Sequence, residues 1–536
     1  MIYTSQQVLE YPKDLTLTEL LLNYNLNNTP DNHPAIIDGL SGETVFTYAS
    51  FRTGVRKLAH HFQTVIGLKP GDVVGILSTN RIPKHYFPIC VHAILATGAV
   101  VSALNPLYEP SELSHALGLS KPKHVLVEQD LLPRLSNAIS MTSDLPHRPT
   151  LHVWDSLEAH GNNVAILEVE HILQHGLSRF EPRSLPPGAA ANSLAFICFS
   201  SGTSGLVKGV QLSHGNIVAN IFQQSKGLEG MFTPKTVVAL IVPFFHILGL
   251  AGFSCQYVCQ GTPIVAFKRF DMGPLLAAVK KHRITHINVV PPIALEFLRN
   301  PLAAQGDFST VQCMMNAAAP LNQRQADELT KRFGCAVTQW YGMTEASPSV
   351  ASQRENELNR KGTIGRLLPG IEMRIIDDDG NDAKTGEFII RGPNIMQGYV
   401  SSEKVDSPMT ADGFMKTGDI GYVDEDGQQV APAELEAILI THPLVNDAAV
   451  CGVYNDHGTS EMPVAYITTA VEGHQEQQRL KEDILVHTNS KVARYKQITG
   501  GVHILDAIPR NPAGKILRRL LPAAIARRET QERARL

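Results

Sequence analysis

Residues 199–210 read Phe199-Ser200-Ser201-Gly202-Thr203-Ser204-Gly205-Leu206-Val207-Lys208-Gly209-Val210, a run of hydroxyls and glycines that leads into a lysine. Hydroxyls and backbone N–H groups donate to an anion, glycine lets the backbone curl close to it, and Lys208 adds a mobile positive charge. The loop therefore suits phosphate groups and points to nucleotide chemistry. Taken alone, a solvated Gly/Ser turn between a strand at 194–199 and a helix starting near His214 explains it equally well. It is not a Walker-type loop, because Lys208 is followed by Gly209 and not by a hydroxyl placed for Mg²⁺. Nor does it hold the G-x-S-x-G elbow of the α/β-hydrolases.

Four segments downstream carry complementary chemistry. Gln339-Trp340-Tyr341-Gly342-Met343-Thr344-Glu345 offers an aromatic ring for adenine, a hydroxyl for phosphate and a carboxylate for Mg²⁺. Thr417-Gly418-Asp419 sets a carboxylate after a tight turn, suited to both hydroxyls of a ribose. Pro243-Phe244-Phe245-His246 puts an imidazole beside apolar residues, as at a substrate mouth. Pro509-Arg510-Asn511-Pro512-Ala513-Gly514-Lys515-Ile516 presents a lysine on a glycine-bearing loop. Singly, each has a plain explanation: a surface carboxylate, a turn residue, a core histidine, a solvated lysine. In this order, after the phosphate loop, they are the residue types that ATP-dependent activation of an acid requires.

The set resembles the adenylate-forming superfamily of acyl- and aryl-CoA ligases, luciferases and peptide-synthetase adenylation domains, most closely its 4-coumarate-CoA ligase-like branch. Asn105-Pro106-Leu107-Tyr108, Asn316-Ala317-Ala318-Ala319-Pro320-Leu321 and Val430-Ala431-Pro432-Ala433-Glu434-Leu435-Glu436 fit that branch too, so the resemblance covers nearly the whole chain. It implies in-line attack of a carboxylate on the α-phosphate of Mg-ATP, release of pyrophosphate, and displacement of AMP by the thiol of CoA. By matching positions, Ser200, Ser201, Gly202, Thr203, Ser204, Gly205 and Lys208 would hold the β- and γ-phosphates, Thr344 the α-phosphate and Glu345 the Mg²⁺. Tyr341 would stack on adenine beside Ala318 and Ala319, with Gln339 and Gly342 flanking it. Asp419 would bind the ribose, and His246 would sit by the acid. Lys515 would bridge the acid and the α-phosphate oxygens, which is charge neutralisation plus positioning. The resemblance also implies an acyl pocket lined by Leu248, Ala318, Trp340, Pro348 and Ser349. Leu248 stands where plant hydroxycinnamate enzymes often have tyrosine, and Trp340 where they have glycine. A large ring there shortens the pocket or gives it a flat wall, so a medium-chain fatty or compact aryl acid is expected. The alternative for Trp340 is a core ring facing away from the site.

These residues need a large scaffold. At 536 residues the chain exceeds one ordinary core, and 43% hydrophobic with 18% charged residues is a globular composition. The formal charge of -4 gives no basic surface for polyanions, so nucleic acid is not an expected partner. The partners implied are a small carboxylic acid and coenzyme A. Seven scattered cysteines without a C-x-x-C pair read as buried thiols in a reducing compartment. The apolar stretch 236–253 carries Pro243 and His246 and reads as strand, loop and helix, with no membrane span. The first thirty residues lack the apolar region of a secretory signal. Ala534-Arg535-Leu536 has the small-basic-Leu form read by a peroxisomal import receptor, which predicts a peroxisomal protein, otherwise a cytoplasmic one.

Short β-branched runs alternate with helical patterns at 72–77, 83–96, 100–103, 111–119 and 123–127, and strands recur at 237–242, 286–290 and 311–316. This predicts an α/β fold, with parallel sheets covered by helices in a large N-terminal domain at 1–427. Short strands and turns make about 368–427 a β-rich subdomain, and 428–536 suit a small α+β C-terminal domain. At the junction the pattern breaks. The family has a strand, a hinge and a hairpin after the equivalent of Gly427, whereas here Gly427 runs straight into Gln428. Roughly fifteen to twenty residues are missing by ordinary element lengths. Either the coding sequence was assembled short, the expected explanation because every other motif is intact, or the deletion is genuine. A genuine deletion leaves an enzyme that adenylates only, or an inactive ATP-binding paralogue, and exposes an edge of the β-rich subdomain. A luciferase-like oxygenase is the remaining alternative on this fold.

Overall fold

The structure is a computed structural model. It describes all residues except 81–84, 155–163, 183, 202–206, 320, 322, 356–361, 378, 401–406, 425–428, 431–433, 455–460, 491–496, 511–515, 517–519 and 522–536, together with the side chains of a few strand and helix residues, Ser201 among them.

Strands Val100–Leu104 and His124–Val127 are buried at every position, and Val73–Leu77 at all but its first. Runs buried on both faces belong to parallel sheets covered by helices. The three lie side by side in an eight-stranded sheet whose order runs Gly398–Val400, Val207–Ser213, Leu194–Ser201, Val100–Leu104, Val73–Leu77, His124–Val127, Thr150–Trp154 and Val164–Leu167. Pairing is parallel from Leu194–Ser201 onward and antiparallel at the first two junctions. A nine-stranded sheet has a central parallel run of Ala336–Gly342, Cys313–Asn316, His286–Val289, Val238–Leu240, Ile264–Ala266 and Pro34–Asp38. The apolar stretch at 236–253 resolves as expected into strand Val238–Leu240, a loop, and a wide-turn helix, Leu248–Tyr257. That helix packs on Phe87–Ala96, a helix buried at all ten of its positions, and so joins the layers of the two sheets in one apolar core.

A five-stranded antiparallel sheet holds Tyr3–Thr4, Glu372–Ile376, Thr385–Arg391, Met415–Val423 and Gln429–Val430. The junction at 427/428 falls outside the described residues. Beyond it, Gln429 and Val430 pair with Val423 and Tyr422, so the edge anticipated there is covered along two residues. The C-terminal segment forms a three-stranded sheet, Asp447–Tyr454, Glu461–Thr468 and Val502–Ile504, with helices Glu434–Ile440 and His474–Asn489. Leu439, Ala448, Ala465, Ile467, Leu480 and Ile484 give it a core of its own.

Helix His214–Gly227 starts where the sequence placed it, with Ser213 and Asn216 forming a reciprocal cap. Its buried amides are then used laterally. Asn220 Nδ2 donates to Ser349 O at 2.9 Å and its Oδ1 accepts from Ser349 N at 3.2 Å. Gln223 Nε2 donates to Asn394 Oδ1 at 3.2 Å, and Asn394 Nδ2 donates to Ala346 O at 2.8 Å. Asn216 Nδ2 donates to Pro393 O and Ile395 O, both at 2.8 Å. Asn394 is fully buried, so every partner it loses stays dry. Asn394→Ala is expected to cost about 1–3 kcal/mol for each partner left unpaired. Urea unfolding measures this, and an unchanged midpoint would show that the network carries no stability.

Candidate active site

At the carboxyl ends of strands Val100–Leu104, Cys313–Asn316 and Ala336–Gly342 lies a cavity of about 350 Å³. Open α/β sheets bind ligands at this end. Its walls include Ser200, His246, Leu248, Ala318, Trp340, Tyr341, Gly342, Thr344, Glu345, Pro348 and Ser349. All five residues assigned to the acyl pocket are therefore in one wall system with the predicted α-phosphate and metal residues. Trp340 borders the cavity, and its Nε1 donates to Thr338 Oγ1 at 3.0 Å.

Strand Ala336–Gly342 ends in a reversal that delivers Thr344 and Glu345. A Cβ on Gly342 would stand 2.1 Å from Pro348 O, so only glycine lets the chain fold back this tightly. Met343 N closes the turn by donating to Pro348 O at 2.9 Å. The buried amides of Asn220 and Asn394 grip the same turn at Ser349 and Ala346.

Glu345 Oε1 accepts two hydroxyls, Ser200 Oγ at 2.8 Å and Tyr399 Oη at 3.0 Å. Strand Gly398–Val400 brings Tyr399 opposite Val210, and Lys208 Nζ lies 4.8 Å from the centre of the Tyr399 ring. Burial, then the Glu345 carboxylate, raise the Tyr399 phenol well above its ordinary pKa, which keeps it a donor. Tyr399 is a site residue that the sequence reading missed. A tyrosine in a short strand carries no motif, and only the sheet pairing reveals it.

Tyr341 Oη donates to Asp419 Oδ2 at 2.7 Å, so the adenine and ribose candidates are brought together. Asp419 follows Gly418, whose φ of 73° lies in the left-handed region, and Gly418 N donates to Glu387 Oε1 at 2.8 Å. Ala318 has a φ of 69°, uncommon for a residue with a Cβ. Gln339, expected at ATP, does not border the cavity. Its Nε2 donates to Leu321 O and its Oε1 accepts from Asn316 Nδ2, both at 2.8 Å, and Asn316 Nδ2 also donates to Ala319 O at 2.8 Å. Gln339 thus braces the 316–321 loop. Ala319, Lys208 and Asp419 likewise stand outside the cavity wall.

From the C-terminal domain, Arg510 reaches the cavity, held by Asp447 through Nη2–Oδ1 at 2.8 Å and Nε–Oδ2 at 3.3 Å. It is the second residue the sequence reading passed over, although it belongs to the quoted lysine motif. An antiparallel bridge between Arg510 and Ile516 brackets that motif, and Lys515 lies outside the described residues, as do Gly202, Thr203, Ser204 and Gly205.

Among the described residues, no cluster of three or more His, Cys, Asp and Glu side chains forms a dedicated metal cage. The Glu345 carboxylate, with Ser200 beside it, fits Mg²⁺, which typically takes one or two carboxylates plus substrate phosphates. Six cysteines, Cys90, Cys198, Cys255, Cys259, Cys313 and Cys335, are buried, and among the described residues no helix is long and apolar enough to cross a membrane.

The cavity is thus walled by Ser200, by the held carboxylate of Glu345 and by apolar side chains such as Leu248 and Pro348. Residues 22–400 match the AMP-binding enzyme family, and 434–515 match the AMP-binding enzyme C-terminal domain. The chain is 32% identical to a probable 4-coumarate-CoA ligase of Dictyostelium discoideum, with 94% of each chain covered. It is 33% identical to the acyl-CoA ligase azaF of Aspergillus niger, covering 91% of this chain and 94% of that one. Its fold is similar to that of an anthranilate CoA ligase solved with anthranoyl-AMP, at a TM-score of 0.81 and 20% identity over 97% of this chain and 99% of that one. ATP-bound MatB from Rhodopseudomonas palustris superposes with a TM-score of 0.78 at 22% identity, covering 95% and 98%. The chain belongs to the AMP-binding enzymes, and within them it is an AMP-forming acid–CoA ligase.

Tyr399→Phe keeps the ring under Lys208 and removes the hydroxyl from Glu345. Acid-dependent pyrophosphate exchange is expected to show kcat/KM for ATP lowered about tenfold, the scale of one hydrogen bond to a charged group. Wild-type kinetics would mean that Tyr399 does not position Glu345.

Proposed function

We propose that this acid–CoA ligase activates a medium-chain fatty or compact aryl acid. The observation that carries the reading is that Trp340, Leu248 and Pro348 all line the cavity. A tryptophan in that lining limits the length a substrate can extend beyond its carboxylate. The carboxylate is assigned to His246, which borders the cavity. Adenine is assigned to Tyr341 and ribose to Asp419.

The triphosphate would lie along Ser200 and the loop that follows it, with Thr344 at the α-phosphate. Glu345 would hold Mg²⁺ together with the phosphates, and the ion would supply charge neutralisation there. Ser200 and Tyr399 keep Glu345 in place for this role. Lys515 is assigned to the oxygens shared between acid and α-phosphate, and Arg510 adds positive charge at the same mouth.

The domain division proposed is 1–427 and 428–536, with the C-terminal part turning between the half-reactions. The family match stopping at 400 and resuming at 434, together with the separate core of the last segment, supports it. The shortened junction bears on the thiol step more than on adenylation, because every adenylation residue is in the chain.

Lys515→Ala is expected to lower acid-dependent pyrophosphate exchange about a hundredfold or more, as when one donor to a developing charge is removed. Near-normal exchange would remove Lys515 from the reaction. For location, the Ala534-Arg535-Leu536 sequence supports peroxisomal import. A fluorescent fusion ending in Leu536 should appear as puncta, and an added tail that masks Leu536 should leave it diffuse. Puncta that persist with the tail would refute this address.

A further inference from the structure

A second cavity, about 280 Å³, lies beside Phe232. Its wall carries the polar groups of Asn27, Ser225, Thr233 and Gln260, and it meets solvent at Lys226 and Glu229, which are half-exposed and exposed. Phe232 borders this second cavity and not the first, while Trp340 borders the first and not the second. The two rings touch, with centroids 6.0 Å apart and planes inclined at 59°. Both are held. Phe232 is buried and packs on Tyr257 at 4.9 Å, and Trp340 is tied to Thr338. One ring of the touching pair thus borders each cavity.

Resting on the assignment of the first cavity to the acid, we propose that Phe232 is a specificity-determining residue, acting through Trp340 as the outer ring of a partition that ends the acyl site. Closed, the partition sets the greatest length of acid. Opened, it joins the cavities into a passage to solvent on the side away from Lys208 and Glu345. The passage selects chemistry as well as length. Ser225, Thr233, Lys226 and Glu229 stand in the wall of the second cavity, and the last two are half-exposed and exposed, so water reaches them. A plain alkyl tail would strip water from these groups and return no hydrogen bond, whereas a tail ending in a hydroxyl supplies a donor. The acids admitted by opening the partition are therefore long ones with a polar far end.

The test compares wild type, Phe232→Ala, Phe232→Leu and Trp340→Gly in acid-dependent pyrophosphate exchange, using straight-chain acids of rising length and their ω-hydroxy counterparts. The readout is the ratio of kcat/KM for a long ω-hydroxy acid to that for a short acid, which a general loss of folded protein does not move. Phe232→Ala is expected to raise the ratio about tenfold or more, the scale at which pockets discriminate small differences in length. Phe232→Leu fills more of the core and should shift the ratio less in the same direction, which keeps the test valid if the alanine variant does not fold. A shift with Trp340→Gly but none with either Phe232 variant overturns the partition while leaving the acid site assigned. No shift with any variant, while wild type still activates short acids, overturns the assignment of the first cavity and the partition with it.

Discussion

Everything in the site hangs on buried amide hydrogen bonds that fasten one turn. Thr344 and Glu345 sit on a reversal too tight for a side chain at Gly342, and its far side is held by Asn220 and Asn394. Those amides come from helix His214–Gly227 and from the segment just before strand Gly398–Val400. The turn belongs to the nine-stranded sheet and the helix follows a strand of the eight-stranded one, so the network is also where the two layers are registered. A dry amide has few alternative partners, and this makes the registration specific where apolar packing alone would allow sliding.

With the turn fixed, the remaining problem is electrostatic. A lysine and a carboxylate close together in a half-buried site would pair with each other and be lost to a ligand. Here an aromatic ring intervenes. Tyr399 offers its face to Lys208 and its hydroxyl to Glu345, and Glu345 also accepts from Ser200. The Lys208 ammonium lies over the Tyr399 ring, 4.8 Å from its centre. Such arrangements of held, uncollapsed charge need little reorganisation when a polyanion arrives.

Much of this was legible in the sequence, for a physical reason. Parallel strands buried on both faces are nearly continuous apolar runs, and Val73–Leu77, Val100–Leu104 and His124–Val127 read as such. Residues that meet a phosphate or a ring within one loop are close in sequence, so Ser200, Thr344, Glu345 and Trp340 could be picked out by their neighbours. Tyr399 and Phe232 could not, because each matters only through a partner more than fifty residues away, and sheet register or ring packing supplies that link. Gln339 lies inside a motif, and its amide donates to the backbone of Leu321. Position within a motif gives proximity to a site, and the hydrogen-bond partners decide what the side chain does there.

Arg510 belongs to a body that closes on its own apolar core, while Ser200 and Glu345 belong to another. In the proposed two-domain division, the positive charge that Arg510 brings to the cavity would follow how often the two pieces dock. The chain between them fixes the effective concentration of one at the other, which makes tether length a kinetic variable in its own right. In that division, adding or removing residues there would retune the rate with both pieces unchanged.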